Sequence, residues 1–146
     1  KVAKVANAST GAFDTMDEAI SAAVLAQVQY RHCSMQDRAS FINGIRDVFL
    51  QEDVLCALSR MAVEETGMGN YEDKLIKNRV AALKTPGIED LTTSAVSGDG
   101  GLTLIEYSAF GVIGSITPTT NPTETIINNC GVQSTSALAQ SVAVRG

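Results

Sequence analysis

The chain has 146 residues, enough for one domain that hides roughly 70 % of its unfolded surface. Its 45 % apolar and 18 % charged residues are ordinary for a globular protein. No apolar run approaches the roughly 20 residues that cross a bilayer, and no basic segment leads into an apolar one as in a signal peptide. Net charge is −5 with Lys and Arg scattered, so the clustered basic surface that nucleic acid requires is missing.

Four helices fill the first half of the sequence. Thr15 with Glu18 has the capping-box form, and Ile20, Val24 and Val28 recur behind it at helical spacing up to Tyr30. Ser34 with Asp37 caps a second helix, whose apolar face is expected to be Phe41, Ile42, Ile45, Val48 and Phe49. Asp53 opens a third helix with Leu55, Leu58, Met61 and Ala62 inward, and Gly67 stops it where a left-handed residue is wanted. Asn70 with Asp73 caps a fourth, carrying Leu75, Ile76, Val80 and Leu83 as far as Pro86-Gly87.

Then the period changes. Gly98 to Gly101 reads as a turn, followed by a strand over Leu102 to Tyr107. Phe110 to Ile116 is apolar almost throughout, the pattern of a parallel strand buried on both faces. The polar loop Thr117-Pro118-Thr119-Thr120-Asn121 leads into a helix near Pro122, with Glu124 in its first turn. A buried strand, a loop and a helix form the first unit of a doubly wound α/β domain, where ligands sit at the C-terminal ends of the strands. The stretch from Gly131 to Gly146 signals little.

Several residue types are candidates for chemistry. Cys33, Cys56 and Cys130 lack CxxC spacing, and with the lone His32 they form no familiar zinc pattern, so no metal site is expected. All three read as reduced thiols packed as small hydrophobes, with Cys130, close in sequence to Asn121, the one tempting alternative as a nucleophile. His32 beside Cys33 does not make a nucleophile pair, because helical neighbours point about 100° apart; a histidine at a helix end suits the dipole better. Glu64-Glu65 and Glu72-Asp73 read as solvated helix faces. By spacing alone Asn121 is foremost an N-cap for the helix at Pro122, and Thr117 to Thr120 a strand-to-helix turn.

The stretch from Gly111 to Asn129, GVIGSITPTTNPTETIINN, resembles the coenzyme-A-acylating branch of the aldehyde dehydrogenase superfamily, the enzymes of ethanolamine and propanediol utilisation. Gly11-Ala12-Phe13-Asp14, Glu65-Thr66-Gly67-Met68-Gly69, Glu72-Asp73-Lys74, Lys77-Asn78 and Gly101 to Glu106 fit the same family in the same order. The resemblance implies an α/β fold: N-terminal helices, then the first strand-loop-helix of a Rossmann-like doubly wound domain, with a strand or hairpin of the oligomerisation region. It divides the chain into a leader or linker over 1–10, the N-terminal part of the cofactor-binding domain over 11–129, and a divergent or truncated segment over 130–146. The sheet is expected to have one strand here.

The implied activity is oxidation of a small aldehyde by NAD with transfer of the acyl group to coenzyme A. Asn121 corresponds to the oxyanion-stabilising asparagine, and Thr117, Pro118, Thr119 and Thr120 to the lining of the nicotinamide-cofactor cleft. None of the three cysteines stands in the family's nucleophile context, so this chain alone is expected to be inactive. The implied partners are a small aldehyde, further copies of the intact parent in a homo-oligomer, and a microcompartment shell, with no nucleic acid or membrane. The implied location is the cytoplasm or the inside of a bacterial microcompartment. The chain opens on Lys1 rather than Met, so sequence upstream is expected. Four amphipathic helices with a strand pair also suit a non-catalytic assembly module, because exposed strand edges invite pairing.

Overall fold

The computed structural model describes residues 11–107, 109–135 and 142–145, so the expected leader over 1–10 lies outside the described residues. Among the described residues there are five helices: α1 (Met16–Tyr30), α2 (Met35–Phe49), α3 (Glu52–Thr66), α4 (Tyr71–Lys84) and α5 (Pro122–Thr135). A short 3-10 turn, Ile88–Asp90, precedes a hairpin of β1 (Ser94–Gly98) and β2 (Gly101–Ile105). Then come β3 (Gly114–Thr117), α5 and β4 (Val142–Arg145).

The helix starts follow their capping chemistry. Thr15 and Ser34 close full capping boxes with Glu18 and Asp37. Hydrogen bonds from the Ser34 hydroxyl and N–H hold the Asp37 carboxyl below its usual range. Asn70 caps α4 by accepting the Asp73 N–H. At α3 the start differs: Gln51 stands at the cap without a side-chain bond, and the helix begins at Glu52 rather than Asp53. Gly67 ends α3 at φ 64°, a left-handed conformation that glycine adopts without Cβ strain.

α4 lies in contact with α2, α3 and α5, and this group holds the core. Ile42, Leu55, Ala62, Ala82 and Ile127 are its buried apolar members. Two expected apolar faces point the other way. On α1 the buried residue is Ala23, while Ile20, Val24 and Val28 are exposed. On α4 the inward row is Lys74, Asn78 and Ala82, and Ile76, Val80 and Leu83 are exposed. A row spaced by four residues faces one side of a helix whatever its polarity, and α4 turns inward the row that satisfies polar neighbours. Phe41 and Val48 of α2 and Met61 of α3 are also exposed, with Ile42, Leu55 and Ala62 taking the buried places.

The sheet elements differ from expectation too. Regular pairing starts only at Gly114, so Phe110 to Ile113 precedes β3, and Phe110 and Ile116 are 87 % and 74 % exposed. β3 contacts α5, and β4, its neighbour in the sheet, contacts α1. A second strand does exist: β4 pairs in parallel with β3, Gly114 opposite Val142 and Thr117 opposite Arg145. β3, α5 and β4 thus form one βαβ unit, and α5 runs unbroken past Cys130. The turn at Gly98 to Gly101 joins two antiparallel strands, with Ser94 opposite Ile105 and Gly98 opposite Gly101.

Thr85, at the end of α4, knits three helices. Its carbonyl accepts from Arg46 Nη2 at 2.9 Å, and its hydroxyl accepts from Asn128 Nδ2 at 3.1 Å. Gly131 lets α5 approach this point, because a Cβ there would stand 2.7 Å from Thr85 Cγ2. Rotating Thr85 away would break the bond to Asn128. Gly131→Ala is therefore expected to destabilise the fold by about 1–2 kcal/mol through overpacking. Gly44→Ala, in open space on α2, should stabilise it by about 0.5–1 kcal/mol. Denaturant midpoints moving in the same direction for both variants would contradict this packing.

Candidate active site at the end of β3

The loop Thr117 to Asn121 leaves the C-terminal end of β3 and enters α5, the place where a βαβ unit presents its loop to ligands. Asn121 occupies the cap position: its carbonyl accepts the Thr125 N–H at 3.3 Å. Its side-chain amide makes no hydrogen bond among the described residues, and the residue is half-buried. The cap expected from spacing is thus present in the backbone but not in the side chain. The amide remains available as a donor.

Thr117 and Pro118 to Thr119 line a cleft of about 290 Å³ between the loop, α3 and α5. α3 contributes Leu58, Met61 and Glu65, and α5 contributes Pro122, Thr123 and Ile126. The Thr117 hydroxyl is buried and has no hydrogen-bond partner among the described residues. An unpaired buried hydroxyl costs about 1–3 kcal/mol, and this one belongs to a residue that lines the cleft. Thr120 is exposed, and neither it nor Asn121 lines that cleft. The structure therefore places three of the four expected cofactor-lining residues in one cleft, with Thr120 and Asn121 following along the chain.

Three supports of the loop and helices stand in the family-like stretches, but the sequence reading gave them no role. Lys74, only 3 % exposed, donates from Nζ to the Thr120 carbonyl at 2.8 Å and to Glu124 Oε1 at 3.2 Å. Removing one partner of such a buried pair costs about 3–5 kcal/mol, because the other charge is left uncompensated. Asn78, fully buried, donates to the Ser59 hydroxyl at 3.0 Å and ties α4 to α3. Asn129 donates to the Ser115 hydroxyl, fastening α5 to β3. The available signal was the spacing of Lys74, Asn78 and Ala82, a helical row that continues from two polar residues into a small one.

The cysteines are all half-buried rather than fully packed. Cys33 and Cys56 lie 3.9 Å from the Gln29 carbonyl and 4.0 Å from the Glu52 carboxylate. Burial pushes the Cys130 thiol above its ordinary range, away from the thiolate form that attacks carbonyls. His32 is exposed just beyond the end of α1. Among the described residues no group of three His, Cys, Asp or Glu is placed to hold a metal ion. Among the described residues no helix is long and apolar enough to cross a membrane.

No protein-family model matches the chain. It is 51 % identical over 127 residues to a propanal dehydrogenase (CoA-propanoylating) of Citrobacter freundii, a match covering 87 % of this chain and 27 % of that protein. The chain thus spans about a quarter of the length of that curated relative. Two solved structures align at a TM-score of 0.84 and 65 % identity, each covering 92 % of this chain and 30 % of the other. One is a Rhodopseudomonas palustris propionaldehyde dehydrogenase with bound coenzyme A and an acylated cysteine. The other is an engineered glycolyl-CoA reductase with bound NADP+.

The raised pKa of Cys130 leaves little thiolate at neutral pH. Its alkylation by iodoacetamide at pH 7.5, followed by mass spectrometry, is expected to be slower than that of a free cysteine and to accelerate as pH rises. Reaction at the rate of a free thiol would contradict the burial.

Proposed function

We propose that this chain, which belongs with the N-terminal portion of the coenzyme-A-acylating aldehyde dehydrogenases, is part of an enzyme that converts a small aldehyde, coenzyme A and a nicotinamide cofactor to acyl-CoA and the reduced cofactor. The observation that carries the site assignment is the Asn121 amide, held at the head of α5 by its backbone and left unbonded in its side chain.

The chemistry asks for such a group. When a thiolate adds to an aldehyde carbon, the carbonyl oxygen takes on negative charge. A fixed neutral N–H donor stabilises that charge without giving up a proton. Asn121 supplies the donor, and the attacking cysteine is none of Cys33, Cys56 and Cys130. The bound nicotinamide cofactor supplies the hydride acceptor, with NAD the reading the family resemblance favours. Thr117, Pro118, Thr119 and Thr120 form its edge in this portion, supported by the unpaired Thr117 hydroxyl beside the cleft. The same resemblance supports residues 11–129 as the N-terminal part of the cofactor-binding domain. It also supports a place in the cytoplasm or within a microcompartment.

In the intact enzyme, Asn121→Ala is expected to lower kcat by about a hundredfold to a thousandfold, the usual loss for one oxyanion donor. Unchanged aldehyde-dependent cofactor reduction would remove the oxyanion role. This chain alone, given acetaldehyde, coenzyme A and NAD, should form no NADH above background.

A second reading, interaction between subunits, is favoured by the hairpin. Leu102 and Leu104 share one face with Ala95 and Ser97, Val96 and Ile105 lie on the other, and both faces are exposed. An isolated two-stranded hairpin is marginal in water, so these faces suit a partner copy in a homo-oligomer. Leu102→Asp with Leu104→Asp is expected to shift the intact enzyme to smaller species in size-exclusion chromatography with light scattering. An unaltered mass would locate the subunit contact elsewhere.

A further inference from the structure

Four helices of this chain begin with a capping residue and carry a carboxylate three positions later, and three of them close on themselves. Thr15 Oγ1 accepts the Glu18 N–H at 3.3 Å, and the Glu18 carboxylate accepts the Thr15 N–H at 3.2 Å. Ser34 and Asp37 exchange the same pair at 3.1 Å and 2.9 Å. At α4, Asn70 Oδ1 accepts the Asp73 N–H at 2.9 Å, and Asn70 Nδ2 donates to the Asp73 carboxylate at 2.7 Å. At Asn70 both ends of the amide are thus taken by local bonds.

Asn121 and Glu124 repeat the Asn70 and Asp73 arrangement in sequence, yet they make neither bond. Glu124 is engaged elsewhere. Its Oε1 accepts from Lys74 Nζ at 3.2 Å and its Oε2 from the Thr123 hydroxyl at 3.2 Å. Lys74 also donates to the carbonyl of Thr120, the residue before Asn121, at 2.8 Å. Its side chain is 4 % exposed and that of Glu124 13 %. A buried ammonium draws a carboxylate more strongly than a neutral amide does, because bonds between charged partners are the stronger ones.

We propose that Lys74 is a positioning residue that holds the cap of α5 open. By drawing Glu124 away, it keeps the Asn121 Nδ2 donor free for the substrate oxygen. Without Lys74, Glu124 turns back to Asn121 as Asp73 does to Asn70. The donor is then taken, and a negative carboxylate stands beside the oxygen that must become negative. This role rests on the oxyanion reading of Asn121.

The test uses the intact enzyme and steady-state kinetics of aldehyde-dependent cofactor reduction, with Asn121→Ala run alongside. Lys74→Met is expected to lower kcat by at least about tenfold, less than the loss of the donor itself. Lys74→Met with Glu124→Leu removes the carboxylate as well and is expected to restore kcat to within about threefold of the parent, since an apolar pair replaces a buried ion pair with little loss of fold. Lys74→Met added to Asn121→Ala should cost nothing further, because both act through one amide.

Full turnover in Lys74→Met, or a double variant as slow as Lys74→Met, would overturn the positioning role while Asn121→Ala remains impaired. Full turnover in Asn121→Ala would instead remove the oxyanion reading beneath it. If Lys74→Met does not fold, the Lys74→Met, Glu124→Leu pair decides: near-parental kcat supports the role, and a kcat as low as that of Asn121→Ala overturns it.

Discussion

A lysine ammonium almost wholly removed from water is expensive unless every nearby acceptor is turned toward it, and Lys74 shows what that demand does to a fold. Its two acceptors belong to different elements: the last loop carbonyl before Asn121 and a carboxylate in the first turn of α5. α4 is thereby fixed against the end of β3. The loop could not settle its backbone carbonyl within the sheet, because the pairing of β3 stops at Thr117. The ammonium supplies that missing donor.

The same requirement explains which side of α4 is inside. Asn78, four residues after Lys74, gives its amide to Ser59 of α3, and Ala82, four further on, leaves room for close packing. Turning the aliphatic row inward would have exposed these bonds to competition from water. Ile76, Val80 and Leu83 therefore face outward, as do Ile20, Val24 and Val28 on α1 and both faces of the hairpin. So much exposed aliphatic surface is characteristic of surfaces meant to be covered. It accords with a chain that spans about a quarter of a relative's length.

At the site, the chemistry available in this chain is donation rather than attack. Asn121 offers an amide and Thr117 a buried hydroxyl, both beside α5. The one cysteine on that helix is pushed toward its protonated form by burial. Polar groups of this kind bind and stabilise; they do not form a covalent intermediate.

The sequence by itself determined the local structure, because local structure is governed by neighbours along the chain. Thr15, Ser34 and Asn70 placed helix starts, Gly67 placed an end, and the change of period near Gly98 separated helices from strands. The family motifs pointed to Asn121 and the loop before it. Tertiary structure alone decided which helix face was buried, since hydrophobic periodicity cannot register that Lys74 and Asn78 have acceptors waiting on other elements. It also decided that the Gly131 to Gly146 stretch yields a parallel strand, because Val142–Arg145 gains its pairing only from β3. Tertiary structure likewise gave the Glu124 carboxylate, three residues after Asn121, a partner on another helix in Lys74, because no local pattern registers a charge that folding brings alongside.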